Sequence, residues 1–140
     1  MGLVPDGASL MGVGDFTAVV VRVAFFDRER GRCFRCRRPL RFEDRGIGWS
    51  AHHRKPRANG GTSDPAVGDI SNCLILCGTG TTGCHGWVES NRAKAREQGY
   101  LVSAIGIAIP ADVRVTRQDG SCWLMTSSGL AVRVKNGAGH

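Results

Sequence analysis

Cysteine and histidine residues gather in the middle of the chain at spacings that suit metal binding. In order along the chain they are Cys33, Cys36, His52, His53, Cys73, Cys77, Cys84 and His85. Close pairs of thiolates are the usual ligands of a tetrahedral structural zinc, whereas imidazoles bind catalytic ions and move protons near neutral pH. The series therefore predicts a structural metal site and a second site of different chemistry.

The spacing of the cysteines favours one set of four ligands. Cys33 and Cys36 are separated by two residues, the usual spacing of a zinc knuckle. Two choices exist for the second pair: Cys73 with Cys77, or Cys77 with Cys84. We prefer Cys77 with Cys84, because the glycine-rich stretch between them can bulge outwards while the two thiolates stay close.

The remaining cysteines are expected in the core. Cys73 and Cys122 lie in apolar stretches, where a free cysteine behaves as a small hydrophobic residue. No secretory signal is visible at the start of the sequence, and the apolar run 18–26 is too short to span a bilayer. These features predict a cytoplasmic protein without a membrane partner, in which a Cys-x-x-Cys motif indicates metal before disulfide. The competing interpretation is six unrelated buried thiols.

Composition favours a polyanionic partner. The 140 residues include 19 Lys and Arg against 12 Asp and Glu, for a net charge of +7. Such a balance is typical of nucleic-acid-binding domains, although many basic domains bind nothing specific. With one Tyr, three Trp and five Phe, the chain offers little for a stacking platform that binds single strands.

The histidines suggest a division of labour. Adjacent residues on a strand point to opposite sides, so His52 and His53 cannot share one ligand role. One is expected to bind metal and the other to take a proton from water. His85 opens a predicted helix, whose positive end favours the neutral imidazole that binds metal. The carbonyl oxygen of Asn72 can accept a hydrogen bond from an imidazole N–H and so orient the ring.

The elements that must position these residues are short. Residues 15–30 predict a helix with Asp15 as its N-cap, although Val19, Val20 and Val21 favour a strand by propensity. Residues 33–36 predict a tight turn and residues 54–70 a long loop. A strand is predicted at 48–52, a buried segment at 74–76, and a helix at 85–98 that ends at Gly99.

The C-terminal part of the sequence predicts β-structure. Short strands are expected at 100–102 and 113–115, followed by a hairpin of 122–125 with 130–132. The predicted organisation is a flexible tail at 1–14, a main domain at 15–102 that contains the cysteine and histidine series, a β extension at 103–134 and a tail at 135–140.

The stretch from about 32 to 99 resembles the HNH endonucleases, most closely the small phage-type members with a four-cysteine zinc site. The segments that carry the resemblance are HHRKPRANGG from position 52, SNCLILC from 71 and CH at 84. It implies an α+β chain with a ββα-metal core and a structural zinc, preceded by an N-terminal helix and followed by a short β extension.

The resemblance also implies a role for each site residue. His52 and His85 would bind the catalytic divalent ion, His53 would be the general base, and Asn72 would orient His53. The structural zinc would be held by Cys33, Cys36, Cys77 and Cys84. Many members have Asp at position 52, so His52 shifts the expected metal from Mg²⁺ toward Mn²⁺, Co²⁺, Ni²⁺ or Zn²⁺. The gap before Cys84 is longer than usual.

The expected activity is hydrolysis of DNA phosphodiester bonds, and the alternative is a non-catalytic, zinc-stabilised DNA-binding module. The basic side chains expected to contact the DNA backbone are Arg54, Lys55, Arg57, Arg92, Lys94 and Arg96. A solvated face explains any single one of them equally well. Phage-type relatives suggest packaging proteins as further partners, by analogy.

Overall fold

The structure is a computed structural model that describes residues 15–57 and 64–135. It has mixed α and β structure with two small antiparallel sheets. The helices are α1 (Ala18–Arg22, continued by a π-helical turn, Val23–Arg28), α2 (Gly83–Ser90) and α3 (Arg92–Glu97). The strands are β1 (Trp49–His53), β2 (Cys73–Cys77), β3 (Val115–Thr116), β4 (Cys122–Met125) and β5 (Ala131–Val134). Short 3₁₀ turns lie at Phe42–Asp44, Pro65–Gly68, Ile70–Asn72 and Pro110–Asp112.

In the described parts of the chain, every helix is too short or too polar to cross a lipid bilayer. The expected tails at 1–14 and 136–140 lie outside the described residues, as does the middle of the predicted loop, 58–63.

The N-terminal segment is helical, as its apolar spacing predicts, but it starts later than expected. Thr17 is the N-cap, with its side-chain oxygen accepting from the Val20 N–H at 3.1 Å. Asp15, the expected cap, instead forms an ion pair with Arg57. The valines at 19–21 are helical despite their strand propensity, because the helix buries Val21 and Phe25 in one apolar cluster.

Strands β1 and β2 form the hairpin that carries the histidines. Trp49 pairs with Cys77 at one end of the ladder, and His53 pairs with Cys73 at the other. All of β2 is buried, whereas β1 presents its two faces to different neighbours. Trp49 and Ala51 pack into the cluster that contains α1, confirming that these two share a face.

The predicted helix at 85–98 is broken into α2 and α3 at Asn91. This residue has φ −128° and ψ 53°, and its side-chain amide donates to the Trp87 carbonyl at 2.9 Å. A side chain that bonds the backbone of the preceding turn competes with helix continuation. The end at Gly99 is confirmed: its φ is +88°, and a Cβ there would lie 1.8 Å from the Arg114 carbonyl oxygen.

The C-terminal sheet has the order β3-β4-β5 and includes the predicted hairpin. The expected strand at 100–102 does not form. There the Tyr100 N–H donates to Ala95 and the Val102 N–H to Arg54, so these groups bond a helix end and a loop. Val115 and Met125 are fully buried in the cluster that also contains Leu74 and Val88. The C-terminal sheet therefore shares its core with the β1–β2 hairpin and α2.

A fully buried carboxylate joins three parts of the fold. Glu29 Oε2 lies 2.8 Å from Arg28 Nε, while its Oε1 lies 3.0 Å from Arg37 Nη1 and 3.5 Å from Arg117 Nη2. Arg28 also donates to the Ile70 carbonyl at 3.0 Å. Because a buried charge is tolerated only when it is paired, this network fixes α1 against the cysteine turn and the C-terminal sheet.

Candidate metal centres

Four cysteines converge on one point, as their spacing predicts. One sulfur atom from each of Cys33, Cys36, Cys77 and Cys84 lies within 4.8 Å of all the others. Cys36 Sγ and Cys77 Sγ are 3.8 Å apart, close to the separation of about 3.8 Å expected for two sulfurs of a tetrahedral zinc site. This set can hold a structural metal such as zinc.

The two ends of the six-residue insertion at 78–83 lie close together, which explains how Cys77 and Cys84 meet. Gly78 and Gly83 have φ of +86° and +61°, and a Cβ on Gly78 would lie 2.1 Å from the Thr82 carbonyl oxygen. Only glycine fits this approach. The Cys84 N–H donates to Cys77 Sγ at 3.3 Å, so the second knuckle forms despite its long insertion.

The neighbours of each cysteine determine whether its thiol gives up a proton easily. A hydrogen bond with Cys84, together with burial, raises the pKa of Cys33, so the metal-free thiol stays protonated. Arg35 Nη1 donates a hydrogen bond to Cys84 Sγ at 3.4 Å. Cys73 points into the α1 cluster instead, and burial raises its pKa to about 12. Cys73 and Cys122 are buried, as expected.

A second group of side chains that could hold a metal ion lies between β1 and α2. One atom each from His52, His85 and Glu89 lies within 4.8 Å of the other two. His52 comes from β1, while His85 and Glu89 are one turn apart on α2, with His85 Nε2 3.9 Å from Glu89 Oε2. Sequence reasoning missed Glu89, although its i,i+4 spacing from His85 places both on one helix face.

His52 is held in a single orientation by the backbone. Its Nε2 lies 2.8 Å from the Tyr100 carbonyl oxygen. Since a carbonyl only accepts, Nε2 carries the proton and the lone pair resides on Nδ1. Burial lowers the pKa of His52 to about 4, and neighbouring His85 acts in the same direction. The ring is therefore neutral at physiological pH, the form that binds metal.

His85 is also kept neutral and oriented. Burial lowers its pKa, and the charge of Glu89 opposes that effect. Its Nδ1 lies 3.1 Å from Ser50 Oγ. The His52 and His85 ring centroids are 5.2 Å apart, so the two imidazoles border one small space.

His53 lies on the opposite face of β1, as strand alternation predicts. Its ring stacks on Phe16, with centroids 3.9 Å apart and an interplanar angle of 11°. At the end of the strand both faces open on the same cleft, which has a volume of about 370 Å³. The polar side chains that line it are His52, His53, Arg57, His85, Glu89 and Arg92.

Asn72 lies close by, but its bonds differ from the expected ones. Its Nδ2 donates to the carbonyls of Lys55 and Val67 at 3.0 and 2.8 Å, and its Oδ1 accepts from the Lys55 N–H at 2.7 Å. Both amide hydrogens are thereby used on backbone carbonyls. Asn72 therefore fixes the chain where it leaves β1.

Two of the six expected DNA-contacting side chains are buried, and for them the expectation is wrong. Arg54 is fully buried and donates to the carbonyls of Gly99, Ser71, Pro110 and Val113 at 2.7–3.0 Å. The backbone carbonyls that surround this guanidinium satisfy its N–H donors in the interior.

Lys55 is the second buried cation. Its Nζ lies 3.1 Å from Asp64 Oδ2 and donates to the Gly106 carbonyl at 3.3 Å. A backbone hydrogen bond from Ala66, followed by the contact with Lys55, lowers the pKa of Asp64. By contrast, Arg57 and Arg92 line the cleft, and Lys94 and Arg96 are exposed on α3. These four keep a position from which they can reach a polyanion.

Comparison of this chain with protein-family models, with curated proteins and with solved structures gives no match.

Proposed function

We propose that this protein is a metal-dependent DNA endonuclease of the HNH type. The observation that carries the proposal is the convergence of His52, His85 and Glu89 in a cleft that also contains His53. A structural metal explains four cysteines, but it leaves this second group without a purpose. The order of a β-hairpin followed by helix α2, which packs on β2, supports the expected ββα-metal arrangement.

The donor set of the second group fits a divalent ion of intermediate softness. Two neutral imidazoles and one carboxylate suit Mn²⁺, Co²⁺, Ni²⁺ or Zn²⁺ better than Mg²⁺, which prefers oxygen ligands. Three protein ligands also leave positions free for a phosphate and water. A bound ion would neutralise the charge that develops on the phosphate and stabilise the leaving 3′ oxygen.

The protein groups around this position supply the remaining functions. His53 would take the proton from the attacking water, a role that suits an imidazole lining the cleft. Arg57 and Arg92, which both line the cleft, would hold the phosphates that flank the scissile bond. Contacts of this kind depend on charge, so we expect binding that weakens steeply with salt and carries little base specificity.

Incubation of supercoiled plasmid with the purified protein and each of Mg²⁺, Mn²⁺, Co²⁺, Ni²⁺ and Zn²⁺ tests the proposal. We expect nicked or linear product with at least one ion. His53→Ala should reduce the rate by a factor of about 10² to 10⁴, the usual contribution of a general base. His140→Ala, the same change at the remaining histidine, should cleave like the wild type.

Two results would count against the enzyme. Cleavage that persists unchanged in His53→Ala would remove the proposed base. Tight binding of plasmid without cleavage under any of the five ions would favour the zinc-stabilised DNA-binding module instead.

A further inference from the structure

A hydroxyl group joins His85 to the backbone beside the cysteine site. Ser50 lies on β1, on the same face as His52, and its Oγ is 3.1 Å from His85 Nδ1. The same Oγ donates to the Gly78 carbonyl at 2.8 Å. Gly78 directly follows Cys77, one of the four converging cysteines.

The direction of these bonds fixes the tautomer of His85. A serine hydroxyl has one hydrogen, and a carbonyl can only accept, so that hydrogen belongs to the Ser50–Gly78 bond. Ser50 Oγ must then accept from His85 Nδ1–H. The lone pair of the neutral ring is left on Nε2, the atom that lies 3.9 Å from Glu89 Oε2.

The other imidazole is oriented by an equivalent device with the opposite nitrogen. His52 donates from Nε2 to Tyr100, which leaves Nδ1 as its free acceptor. Each ring therefore uses one nitrogen on the protein and keeps one for an ion. Partners that orient metal-binding imidazoles in this way usually contribute about 10- to 100-fold to metal affinity.

We propose that Ser50 is a positioning residue for the second metal, holding His85 in its metal-binding tautomer and tying that ring to the backbone of the cysteine site. This inference rests on the proposed function, because it assumes that His52, His85 and Glu89 bind a divalent ion. It assigns Ser50 no contact with the ion or with DNA. The predicted effect of Ser50 is on metal affinity, whether or not the protein cleaves DNA.

The test is the affinity of the zinc-loaded protein for Mn²⁺, measured by calorimetry in the absence of DNA. Ser50→Ala should weaken Mn²⁺ binding by about 10- to 100-fold and leave the zinc content unchanged. Ser50→Thr, which keeps the hydroxyl, should restore most of the affinity. Ser90→Ala is the matched control: Ser90 Oγ also donates to a carbonyl, that of Gly86 at 2.9 Å, and among the described residues it has no hydrogen bond to an imidazole.

A second measurement separates positioning from general loosening of the fold. In the zinc-loaded wild type without Mn²⁺, ¹⁵N chemical shifts of the His85 ring should report protonated Nδ1 and unprotonated Nε2. In Ser50→Ala they should report a mixture of tautomers, while the His52 shifts stay the same.

The outcomes distinguish this inference from the nuclease itself. Weaker Mn²⁺ binding in Ser50→Ala would support the role of Ser50 even if no plasmid is cut. Mn²⁺ binding that is equal in Ser50→Ala and wild type, or undetectable in wild type, would overturn it even if the plasmid is cleaved.

Discussion

The aromatic ring of Phe16 covers one face of the His53 imidazole, with the two planes only 11° from parallel and their centroids 3.9 Å apart. Phe16 belongs to the segment before α1, far in sequence from the cysteines and histidines. It excludes water from that face and limits the rotation of the imidazole. Under the proposed function, the segment before α1 therefore helps to orient the general base.

Phe16→Leu should slow DNA cleavage without weakening metal binding. An aromatic pair contributes about 1 kcal/mol beyond its buried area. If the loss of this free energy raises the activation barrier by the same amount, the cleavage rate falls about fivefold. We expect a lower kcat, an unchanged Mn²⁺ affinity, and loss of the ring-current shift of the His53 protons in NMR spectra. Phe26→Leu, a change at a half-exposed phenylalanine that follows α1, is the control and should alter none of these.

Cys33→Ser should remove the structural metal and much of the stability. A structural zinc contributes free energy directly to folding, so we expect about one zinc per chain in wild type and none in the variant, with unfolding at 37 °C or below. Elemental analysis and circular dichroism measure both effects. Cys122→Ala, at a buried cysteine outside the cluster, should retain zinc. A wild-type protein that folds without any metal would contradict the assignment.

Replacing Arg54 should damage the fold, whereas replacing Arg92 should damage DNA binding. Arg54→Ala removes a donor from four backbone carbonyls, of which that of Pro110 keeps a second hydrogen bond from the Val113 N–H. The loss should cost about 3–5 kcal/mol in the free energy of unfolding. Arg92→Ala removes an exposed charge at the cleft and should leave the unfolding midpoint in urea nearly unchanged. Arg92→Ala should, however, lower the affinity for DNA and reduce the number of counterions released on binding by about one. A stable Arg54→Ala variant with weaker DNA binding would reverse this assignment.

Stability should fall as the pH falls below neutral, partly because of His52. Its pKa is about 4 in the fold against 6.5 for the unperturbed side chain, since burial disfavours the charged ring. Between these values the unfolded chain holds the extra proton, so the contribution present above pH 6.5 is lost as the pH drops toward 4. The loss from this group is about 3 kcal/mol.

Urea unfolding of the zinc-loaded protein between pH 7 and 4, without a second metal, measures this dependence. His52→Gln keeps an N–H for Tyr100 but does not titrate, so its stability should fall less steeply. The cysteine site also loses metal in acid, and the difference between the two proteins isolates His52. Parallel pH profiles would mean that the His52 pKa is not lowered.

The sequence alone was sufficient to predict those features whose geometry follows from residue spacing. The two-residue separation of Cys33 and Cys36 determines a knuckle, and glycines at 78 and 83 allow Cys77 and Cys84 to meet across a long insertion. Alternation along β1 likewise separates His52 from His53. In each case the relevant contacts are local or follow from strand periodicity.

Features that depend on distant backbone groups were not predictable in this way. The burial of Arg54 follows from carbonyls at 71, 99, 110 and 113, which only the tertiary fold brings together. The break at Asn91 reflects a choice between side-chain and backbone bonding that helix periodicity does not reveal. Glu89 was detectable from its spacing, but the sequence offers no sign that it points at His52.

The hydrogen bonds of Arg54 and the ion pairs of Glu29 also set an order of events during synthesis. All four cysteines have left the ribosome once residue 84 has emerged, so zinc can load on a nascent chain. Arg54 still lacks the carbonyl of Val113 at that stage, and Glu29 lacks Arg117. A metal-loaded hairpin would therefore be translated before Arg54 and Glu29 have all of their partners, and the chain beyond α3 supplies the last of them.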